Sequence, residues 1–256
     1  MGRLSLSFRV RPSILLFGDS ITEYGFGIEE VRFGWASLLS SLYSRRADVL
    51  NRGFSGYNTK HAIDVLPSVL GHVNKDDTVR PPFLFCTVFF GANDCSLPTA
   101  RQYLDIESYD SNVRKIVSEI QSHGRTNTNE KLPIVLITPP PVAAKAWDHY
   151  CTVIAPRPLS PRSNENAKKY GERVINIAKE MDCAVVNAFD LLGGDEGEEK
   201  FGKYMTDGLH LNEEGNTILY QGLVDVIGKK YPHLLPKQDG MKEGVPLEEK
   251  LWSELC

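Results

Sequence analysis

The sequence has 256 residues, with 29 basic and 33 acidic side chains and a formal net charge of −4 at pH 7. Hydrophobic residues make up 41% of it and charged residues 24%, which is the composition of an ordinary globular protein. No basic run favours nucleic-acid binding, and no apolar run approaches the length of a membrane span. We therefore expect one domain over residues 1–256 that neither binds nucleic acid nor inserts stably in a membrane.

Two features of the chain bear on its location. Its five cysteines are an odd number and include no Cys-x-x-Cys pair, which predicts free thiols in a reducing compartment. Residues 1–11 lack the continuous apolar core of a signal peptide. Because they contain Arg and Ser but no acidic residue, they faintly resemble a transit peptide. We expect a cytoplasmic protein, with organelle import as the alternative.

Short apolar runs alternate with segments of helical periodicity along the chain. Strands are predicted at 14–17, 47–50, 83–90, 134–138 and 183–186. Helices are predicted at about 35–46, 60–70, 106–123, 164–181 and 213–230. The third strand is the most apolar, which predicts a central strand buried on both faces. This order is typical of an α/β fold with three layers, a five-stranded parallel sheet with helices on both faces, whose core covers about 12–230.

Three segments do not follow this alternation. Residues 142–162 are proline-rich without a clear period, and a connection of this length is typical of a pocket rim or lid. Residues 193–200 are rich in Gly and Glu and are predicted to form a surface loop. The polar extension at about 231–256 ends in a predicted amphipathic helix, residues 246–256. We expect this helix to pack on its own domain; a subunit contact, and so a homodimer, is the alternative.

Four short polar blocks fall where predicted strands end or where a loop returns to the sheet. They are Gly18-Asp19-Ser20, residues 51–56, residues 91–94 and residues 207–210. In open α/β sheets, ligands bind at the edge formed by the carboxyl ends of the strands. The blocks therefore predict one polar site at that edge.

Two of the blocks contain candidate catalytic residues. A serine at a strand end acts as a nucleophile only if a base takes its proton and donors hold the oxyanion. Ser20 is the candidate nucleophile, and a helix N-cap is its structural alternative. His210 is the candidate base, because a carboxylate three residues earlier, Asp207, can reach the far nitrogen of its imidazole. Without such a partner, a lone histidine in a loop is more often structural.

The neighbouring polar residues have simpler interpretations. We interpret Asp19 and Asn51 as residues that tie loops together, and Asp94 as a loop brace. Asn212 precedes the last predicted helix and is interpreted as its N-cap.

In order and together, the four blocks resemble those of the GDSL, or SGNH, hydrolase family. The resemblance covers residues 14 to about 230. It implies a flavodoxin-like SGNH fold and an ester hydrolase in which Ser20, His210 and Asp207 form a catalytic triad. It assigns the oxyanion hole to the backbone N–H groups of Ser20 and Gly56 and to the side-chain amide of Asn93.

Other sequence features limit the chemistry further. Gly53 is the rival of Gly56 as the second backbone donor. The Gly-x-Ser-x-Gly elbow of ordinary α/β-hydrolases does not occur in the sequence. No cluster has metal-ligand spacing, and no Gly-rich phosphate loop follows a strand, so we expect neither a metal nor a cofactor.

Within the family, residues 52–59 and 207–212 look most like the intracellular isoamyl-acetate-hydrolysing esterase branch, which implies a small-molecule ester with a short acyl group. Lysophospholipid, thioester and acetylated-sugar hydrolysis are alternatives on the same site. A non-catalytic flavodoxin-like binding protein is disfavoured by the intact polar set. Some apolar residues either line an acyl or alcohol pocket or pack in the core: Phe54, Tyr57, Leu97, Val142 and Trp147.

Overall fold

The computed structural model describes residues 11–71, 83–123, 131–236 and 244, and in them five strands form one sheet. The strands are β1 Ser13–Gly18, β2 Asp48–Gly53, β3 Phe83–Phe89, β4 Ile134–Ile137 and β5 Ala184–Val186. Their order is β2-β1-β3-β4-β5, and every neighbouring pair is parallel. The predicted α/β fold with a five-stranded parallel sheet is confirmed.

Helices follow the strands, and short helices lie in the loops. The longer ones are α2 Trp35–Leu42, α3 Thr59–Leu70, α4 Ile106–His123, α6 Asn164–Glu180 and α9 Glu213–Lys230. The short ones are α1 Ser20–Glu23, α5 Ala144–His149, α7 Ala188–Leu191 and α8 Glu198–Phe201. The bounds of α4 and α9 match their predicted ranges. α4 has a sustained apolar period, and α9 begins after a clear N-cap, Asn212.

The apolar pattern of the strands follows from their positions in the sheet. β3 is the middle strand, and its residues from Phe85 to Phe89 are buried, as predicted for a strand covered on both faces. β1, which lies between β2 and β3, is buried along its whole length. The strand order reverses at β1 and β3, so a crevice opens beyond the carboxyl ends of these two strands.

The helices form two groups on the sheet. α2 packs on α9, whereas α3 packs on α4 and α4 packs on α6. Right-handed crossovers place the helices that follow β1 and β2 on opposite faces, because the chain moves in opposite directions across the sheet after these two strands. The predicted three layers are therefore present. The core continues past α9 to Leu234, whose carbonyl accepts a hydrogen bond of 2.8 Å from the buried Tyr43 hydroxyl.

Some element boundaries differ from the prediction. Residues 51–53 were expected in a loop, but they continue β2 and pair with Leu16, Phe17 and Gly18. β2 is an edge strand, so polar side chains there face solvent or a loop at little cost. The aperiodic segment 142–162 contains α5 and a π-helical turn at Tyr150–Ile154, and α8 begins inside the predicted surface loop.

Three sequence expectations concern features outside the sheet. The predicted helix at 246–256 and the segment 1–10 lie outside the described residues. The four described cysteines, Cys86, Cys95, Cys151 and Cys183, are unpaired thiols. Within the described ranges, no helix combines the length and apolar character needed to cross a bilayer.

Candidate active site

The turn from β1 into α1 sets the position of Ser20. Asp19 caps α1, and its side chain accepts a hydrogen bond of 3.0 Å from the backbone N–H of Ile21. The N-cap interpretation of Ser20 is therefore wrong: Ser20 is the first residue of the helix, with its hydroxyl free for another partner. Gly18 has no room for a side chain, because a Cβ atom there would lie 2.0 Å from Thr22 Oγ1 and 2.7 Å from the Phe89 carbonyl.

A continuous hydrogen-bonded chain joins Ser20 to a buried carboxylate. Ser20 Oγ lies 2.9 Å from His210 Nε2, and His210 Nδ1 lies 2.6 Å from Asp207 Oδ2. When Nδ1–H donates to the carboxylate, Nε2 is left as an acceptor for the serine hydroxyl proton. The three residues are thus arranged so that the imidazole can take a proton from Ser20.

The backbone of the 207–210 loop holds the carboxylate in place. Asp207 Oδ1 accepts the N–H groups of Leu209, at 2.9 Å, and of His210, at 2.8 Å. Burial alone would raise the pKa of Asp207, but the hydrogen bond and charge of His210 outweigh it and hold that pKa below its ordinary value. The carboxylate is therefore ionised when it faces the imidazole.

Gly208 lets this loop approach α5 closely. Its φ is +94°, and a Cβ atom there would lie 2.5 Å from the backbone nitrogen of Trp147 and 2.6 Å from the Ala143 carbonyl oxygen. The Gly208 carbonyl accepts a hydrogen bond of 2.8 Å from the Ala143 N–H. A side chain at position 208 would therefore push the histidine loop away from the segment that packs on it.

Gly56 and Asn93 line the same cleft as Ser20 and His210. Asn93 Nδ2 donates to the Tyr57 carbonyl at 2.8 Å, which leaves the second hydrogen of this amide available to a ligand. Gly56 has a φ of +80°, and its carbonyl accepts a hydrogen bond of 3.1 Å from Gln102 Nε2. We call Ser20, Gly56, Asn93 and His210 the strand-end wall of the cleft.

Gly53, the rival glycine, lies elsewhere. Its N–H donates to Asn51 Oδ1 at 2.9 Å, and a Cβ atom there would lie 2.0 Å from the Glu23 nitrogen. Gly53 thus packs against α1, and its N–H is already used. Gly56, and not Gly53, lines the cleft together with Ser20.

The polar residues around these loops brace them, as the sequence indicated. Asn51 Nδ2 donates to the Thr22 carbonyl at 2.7 Å and so ties β2 to α1. Asp94 Oδ1 accepts the backbone N–H of Thr59 at 2.9 Å, which ties the end of β3 to the start of α3. Asn212 caps α9 by accepting the Gly215 N–H at 3.0 Å.

Burial perturbs the two carboxyls beneath the site. Desolvation raises the pKa of Asp19 to about 7 and that of Asp94 to about 6. One oxygen of each carboxyl is buried without a hydrogen-bond partner among the described residues. Asp19 belongs to the turn that carries Ser20, and Asp94 belongs to the loop that carries Asn93.

The opposite side of the cleft is formed by part of the 142–162 segment. We call Trp147, Arg157, Ser160 and Arg162 the loop wall; all four line the cleft, whose volume is about 590 Å3. Trp147 Nε1 donates to the Ser160 carbonyl at 2.9 Å, and its ring lies 6.0 Å from the His210 ring. The expectation that residues 142–162 form a pocket rim is confirmed.

Arg162 links the two walls. Its guanidinium is buried and donates to the Ala92 carbonyl and, at 3.0 Å, to Asn93 Oδ1. It also lies 5.2 Å from the centre of the Trp147 ring. With Oδ1 held by Arg162, the nitrogen of the Asn93 amide is directed to the Tyr57 carbonyl and the cleft. Sequence reasoning missed Arg162, because nothing in the sequence relates a single Arg in a proline-rich loop to a distant Asn.

Sequence reasoning also missed His61 and Tyr24, which line the cleft. His61 lies in the first turn of α3, in a capping box with Asn58, and the Tyr24 ring lies 5.1 Å from the His210 ring. Neither position has a partner spacing in the sequence that distinguishes it from a surface residue.

Of the predicted apolar pocket residues, Trp147 alone lines the cleft, among the residues that the structure describes. Phe54 stacks on Tyr57 with ring centres 5.2 Å apart and meets Phe17 edge-on, so both rings pack on the core. Val142 is a core residue, and Leu97 is partly buried outside the lining. Most of the apolar side chains at these positions pack in or against the core between the sheet and the helices, and most residues that line the cleft are polar.

The structure shows no metal-binding arrangement in the described ranges: no group of three or more His, Cys, Asp or Glu side chains is placed to hold an ion.

Known proteins and a family model match most of this chain. The model of the GDSL-like lipase/acylhydrolase family matches residues 16–218. An isoamyl acetate-hydrolyzing esterase 1 homolog from Mus musculus is 35% identical over 240 residues, which cover 92% of this chain and 90% of the relative. A GDSL esterase/lipase from Arabidopsis thaliana is 36% identical over 217 residues, 82% of this chain and 83% of the relative.

Solved structures share the fold. A lipase/acylhydrolase from Enterococcus faecalis superposes with a TM-score of 0.61 and 21% identity, covering 89% of this chain and 99% of that one. An acetylxylan esterase from Geobacillus stearothermophilus gives a TM-score of 0.59 with 18% identity, covering 86% and 96%. At these identities the likeness shows the fold alone.

Proposed function

This chain belongs to the GDSL-like lipase/acylhydrolase family, and we propose that it cleaves short-chain acyl esters with Ser20 as its nucleophile. Family membership makes it a carboxylic ester hydrolase. The observation that carries the proposed mechanism is the chain from Ser20 Oγ through His210 to Asp207, with lengths of 2.9 Å and 2.6 Å, at a cleft of about 590 Å3.

The first half of the proposed reaction acylates the serine. His210 Nε2 takes the Ser20 proton as Oγ attacks the ester carbonyl, and Asp207 stabilises the resulting imidazolium. The negative charge that develops on the carbonyl oxygen is held by the backbone N–H groups of Ser20 and Gly56 and by the Asn93 amide. When the tetrahedral intermediate collapses, His210 returns the proton to the departing alcohol.

The second half releases the acid. Water takes the place of the alcohol, His210 removes its proton, and the hydroxide attacks the acyl-enzyme carbonyl. The same donors hold the oxyanion again, and the intermediate collapses to the free acid while His210 returns a proton to Ser20 Oγ. The net reaction is ester plus water to acid plus alcohol, with the enzyme unchanged.

Two observations support a short acyl group. Relatives that share about a third of their residues with this chain are named for isoamyl acetate hydrolysis. The loop wall is also fixed in position: Trp147 is buried and bonded to Ser160, and Ser160 Oγ donates to Gln102 Oε1 at 2.9 Å. A wall that is held at both ends limits the length of an acyl chain by steric exclusion.

A chain-length series tests this proposal. Each methylene that fits adds roughly 0.8 kcal/mol of binding, so kcat/KM should rise briefly from acetyl esters and then fall as the chain outgrows the cleft. We expect acetyl or butyryl 4-nitrophenyl esters to be preferred over octanoyl and palmitoyl esters. A maximum at palmitoyl would contradict the proposal and favour lysophospholipid or thioester hydrolysis.

An acetylated carbohydrate is the second candidate substrate. Neutral polar groups at Ser55, Thr99 and Gln102 line the cleft and suit the hydroxyl groups of a sugar. An acetylxylan esterase also shares the fold. Acetate release from acetylated xylo-oligosaccharides, compared with release from isoamyl acetate at equal concentration, distinguishes the two candidates.

A further inference from the structure

The charge of the cleft lining differs from the charge of the chain. Three arginines, Arg101, Arg157 and Arg162, line the cleft together with His61 and His210. Among the described residues, no Asp or Glu side chain lines it. The whole sequence nevertheless carries a net charge of −4. The cleft is thus a cationic depression in an acidic protein, and such depressions focus the field that attracts anions.

Arg157 is oriented at the cleft by its surroundings. Its guanidinium lies 4.9 Å from the Tyr150 ring centre and 5.6 Å from that of Trp147. Its Nε donates to the Ala155 carbonyl at 3.3 Å, and its backbone N–H donates to Cys151 at 3.0 Å. These contacts engage the Nε and the face of the exposed guanidinium and leave its two terminal nitrogens for a ligand.

Among the described residues, Arg157 and Arg101 have no counter-ion. Across the described residues, neither forms an ion pair with a carboxylate, whereas other arginines do, for example Arg114 with Asp110 at 2.6 Å. Arg101 adjoins Gln102, whose side chain bonds to both Gly56 and Ser160 and so joins the two walls. Arg101 therefore lies next to the point where the walls meet.

Arg162 contributes differently. Its guanidinium is buried, and both of its terminal nitrogens already donate, one to the Ala92 carbonyl and one to Asn93 Oδ1. We therefore assign the capture of an external anion to Arg157 and Arg101, and leave Arg162 as part of the frame.

From these observations we propose that the preferred ester carries an anionic group, a carboxylate or a phosphate, which Arg157 and Arg101 bind while the ester carbonyl lies at Ser20. The inference rests on the proposed function and specifies its substrate class. Guanidinium groups pair with such anions through parallel N–H···O bonds, and an arginine without a counter-ion in a cleft has its donors available for such a pair. A neutral ester leaves these cations without a partner.

Two pairs of matched esters test the inference and locate the anion. In the first pair, 4-acetoxybenzoate and its neutral methyl ester, the charge lies on the alcohol side. In the second, mono-4-nitrophenyl glutarate and its neutral methyl ester, the charge lies on the acyl side. For each ester, kcat/KM is divided by the rate of hydroxide hydrolysis to remove intrinsic reactivity. We expect the wild type to prefer the charged member of one pair by roughly tenfold, the range of charge-assisted hydrogen bonds.

Variants show whether the two arginines cause that preference. The double substitution Arg101→Gln with Arg157→Gln should bring the charged-to-neutral ratio to near one, and Arg52→Gln should leave it unchanged. Arg52 is the matched control because it is exposed and lies outside the cleft lining. The ratio should also fall as NaCl rises from about 0.05 to about 0.5 M, because salt screens exposed charges.

The outcomes separate the inference from the proposed function. Hydrolysis of the neutral esters with a ratio near one in both pairs would overturn the anionic substrate class and leave the serine esterase intact. A preference that survives the double substitution would also overturn it. If none of the esters is hydrolysed, the proposed function fails and the inference fails with it.

Discussion

The two walls of the cleft are built in different ways. The strand-end wall is held by hydrogen bonds from backbone groups: Asp207 accepts two N–H groups of its own loop, and Asp94 fixes the start of α3. The loop wall is held by rings and guanidinium groups, with Trp147 beside both Arg157 and Arg162. The first wall holds the atoms that exchange the proton within hydrogen-bond distance of each other, as proton transfer requires. The second shapes and charges the space beside them.

This difference implies a division of labour. Substitutions in the strand-end wall should lower kcat for every ester, because they remove groups that act on the reacting atoms. Substitutions in the loop wall should change which ester is preferred, except at Arg162, which links the two walls. The predictions below test that division, and the largest effects come from the strand-end wall.

Removing the base should have the largest effect. His210→Ala removes the only group within hydrogen-bond reach of Ser20 Oγ among the described residues, so kcat should fall by about 10⁶-fold. Asp207→Asn keeps the imidazole and should cost about 10⁴-fold, because the carboxylate that orients it is lost. Steady-state rates with acetyl and butyryl esters measure both. An Asp207→Asn variant as active as wild type would show that the carboxylate does not take part.

Removing an oxyanion donor should cost less. Asn93→Ala removes the amide but leaves the backbone donors, so kcat should fall by about 10²–10³-fold with a small change in KM. The same loss should appear for charged and neutral esters. A variant with raised KM and normal kcat would instead place Asn93 in ground-state binding.

The link between the walls should give a smaller, coupled effect. Arg162→Met removes the hydrogen bond that fixes the Asn93 amide at 3.0 Å, and kcat should fall by about tenfold with KM nearly unchanged. In the Asn93→Ala background, the same substitution should have little further effect on kcat, since there is no amide left to position. Additive losses in this double-mutant cycle would contradict the positioning role. Circular dichroism spectra of each variant should match the wild type, which tests that the variant is folded.

The smallest effect concerns stability. Burial raises the pKa of Asp19 from 3.8 to about 7, so the folded protein keeps a proton that the unfolded chain releases. The stabilisation from this group is complete below about pH 4 and is lost as pH rises through about 7. Asp19→Asn keeps the acceptor for Ile21 and has no charge to bury. We expect the Tm of the variant, relative to wild type, to rise between pH 4 and pH 8; a constant difference would contradict the shifted pKa.

The same contrast explains how much the sequence could predict. The strand-end wall and the carboxylate that faces its histidine were predictable because they lie in short blocks at strand ends. Ser20, Asn93 and the pair Asp207 and His210 lie where parallel strands or their returning loop must meet. β3 was predictable as the central strand because Phe83–Phe89 is apolar except for Thr87, and such a run is typical of a strand that is covered on both faces.

The loop wall was not predictable from its sequence. It has no apolar period, and its contacts join residues that no spacing relates, such as Arg162 with Asn93, 69 positions apart. For the apolar residues the sequence left two interpretations open, pocket lining and core packing, for a related reason. Phe54 and Val142 are apolar and near the site in sequence, and the structure shows core packing for both, since burial in the sheet–helix layers removes their surface from water.

The most direct test of the account is covalent labelling of its nucleophile. A fluorophosphonate transfers its phosphonyl group to an activated serine and mimics the acylation step. We expect one adduct per chain, mapped by peptide mass spectrometry to Ser20, with activity lost in proportion. Ser20→Ala should remain folded, resist labelling and lose about 10⁶-fold in kcat, while Ser122→Ala, on the exposed end of α4, should label and turn over normally. An adduct on another residue, or near-normal turnover by Ser20→Ala, would contradict the central claim.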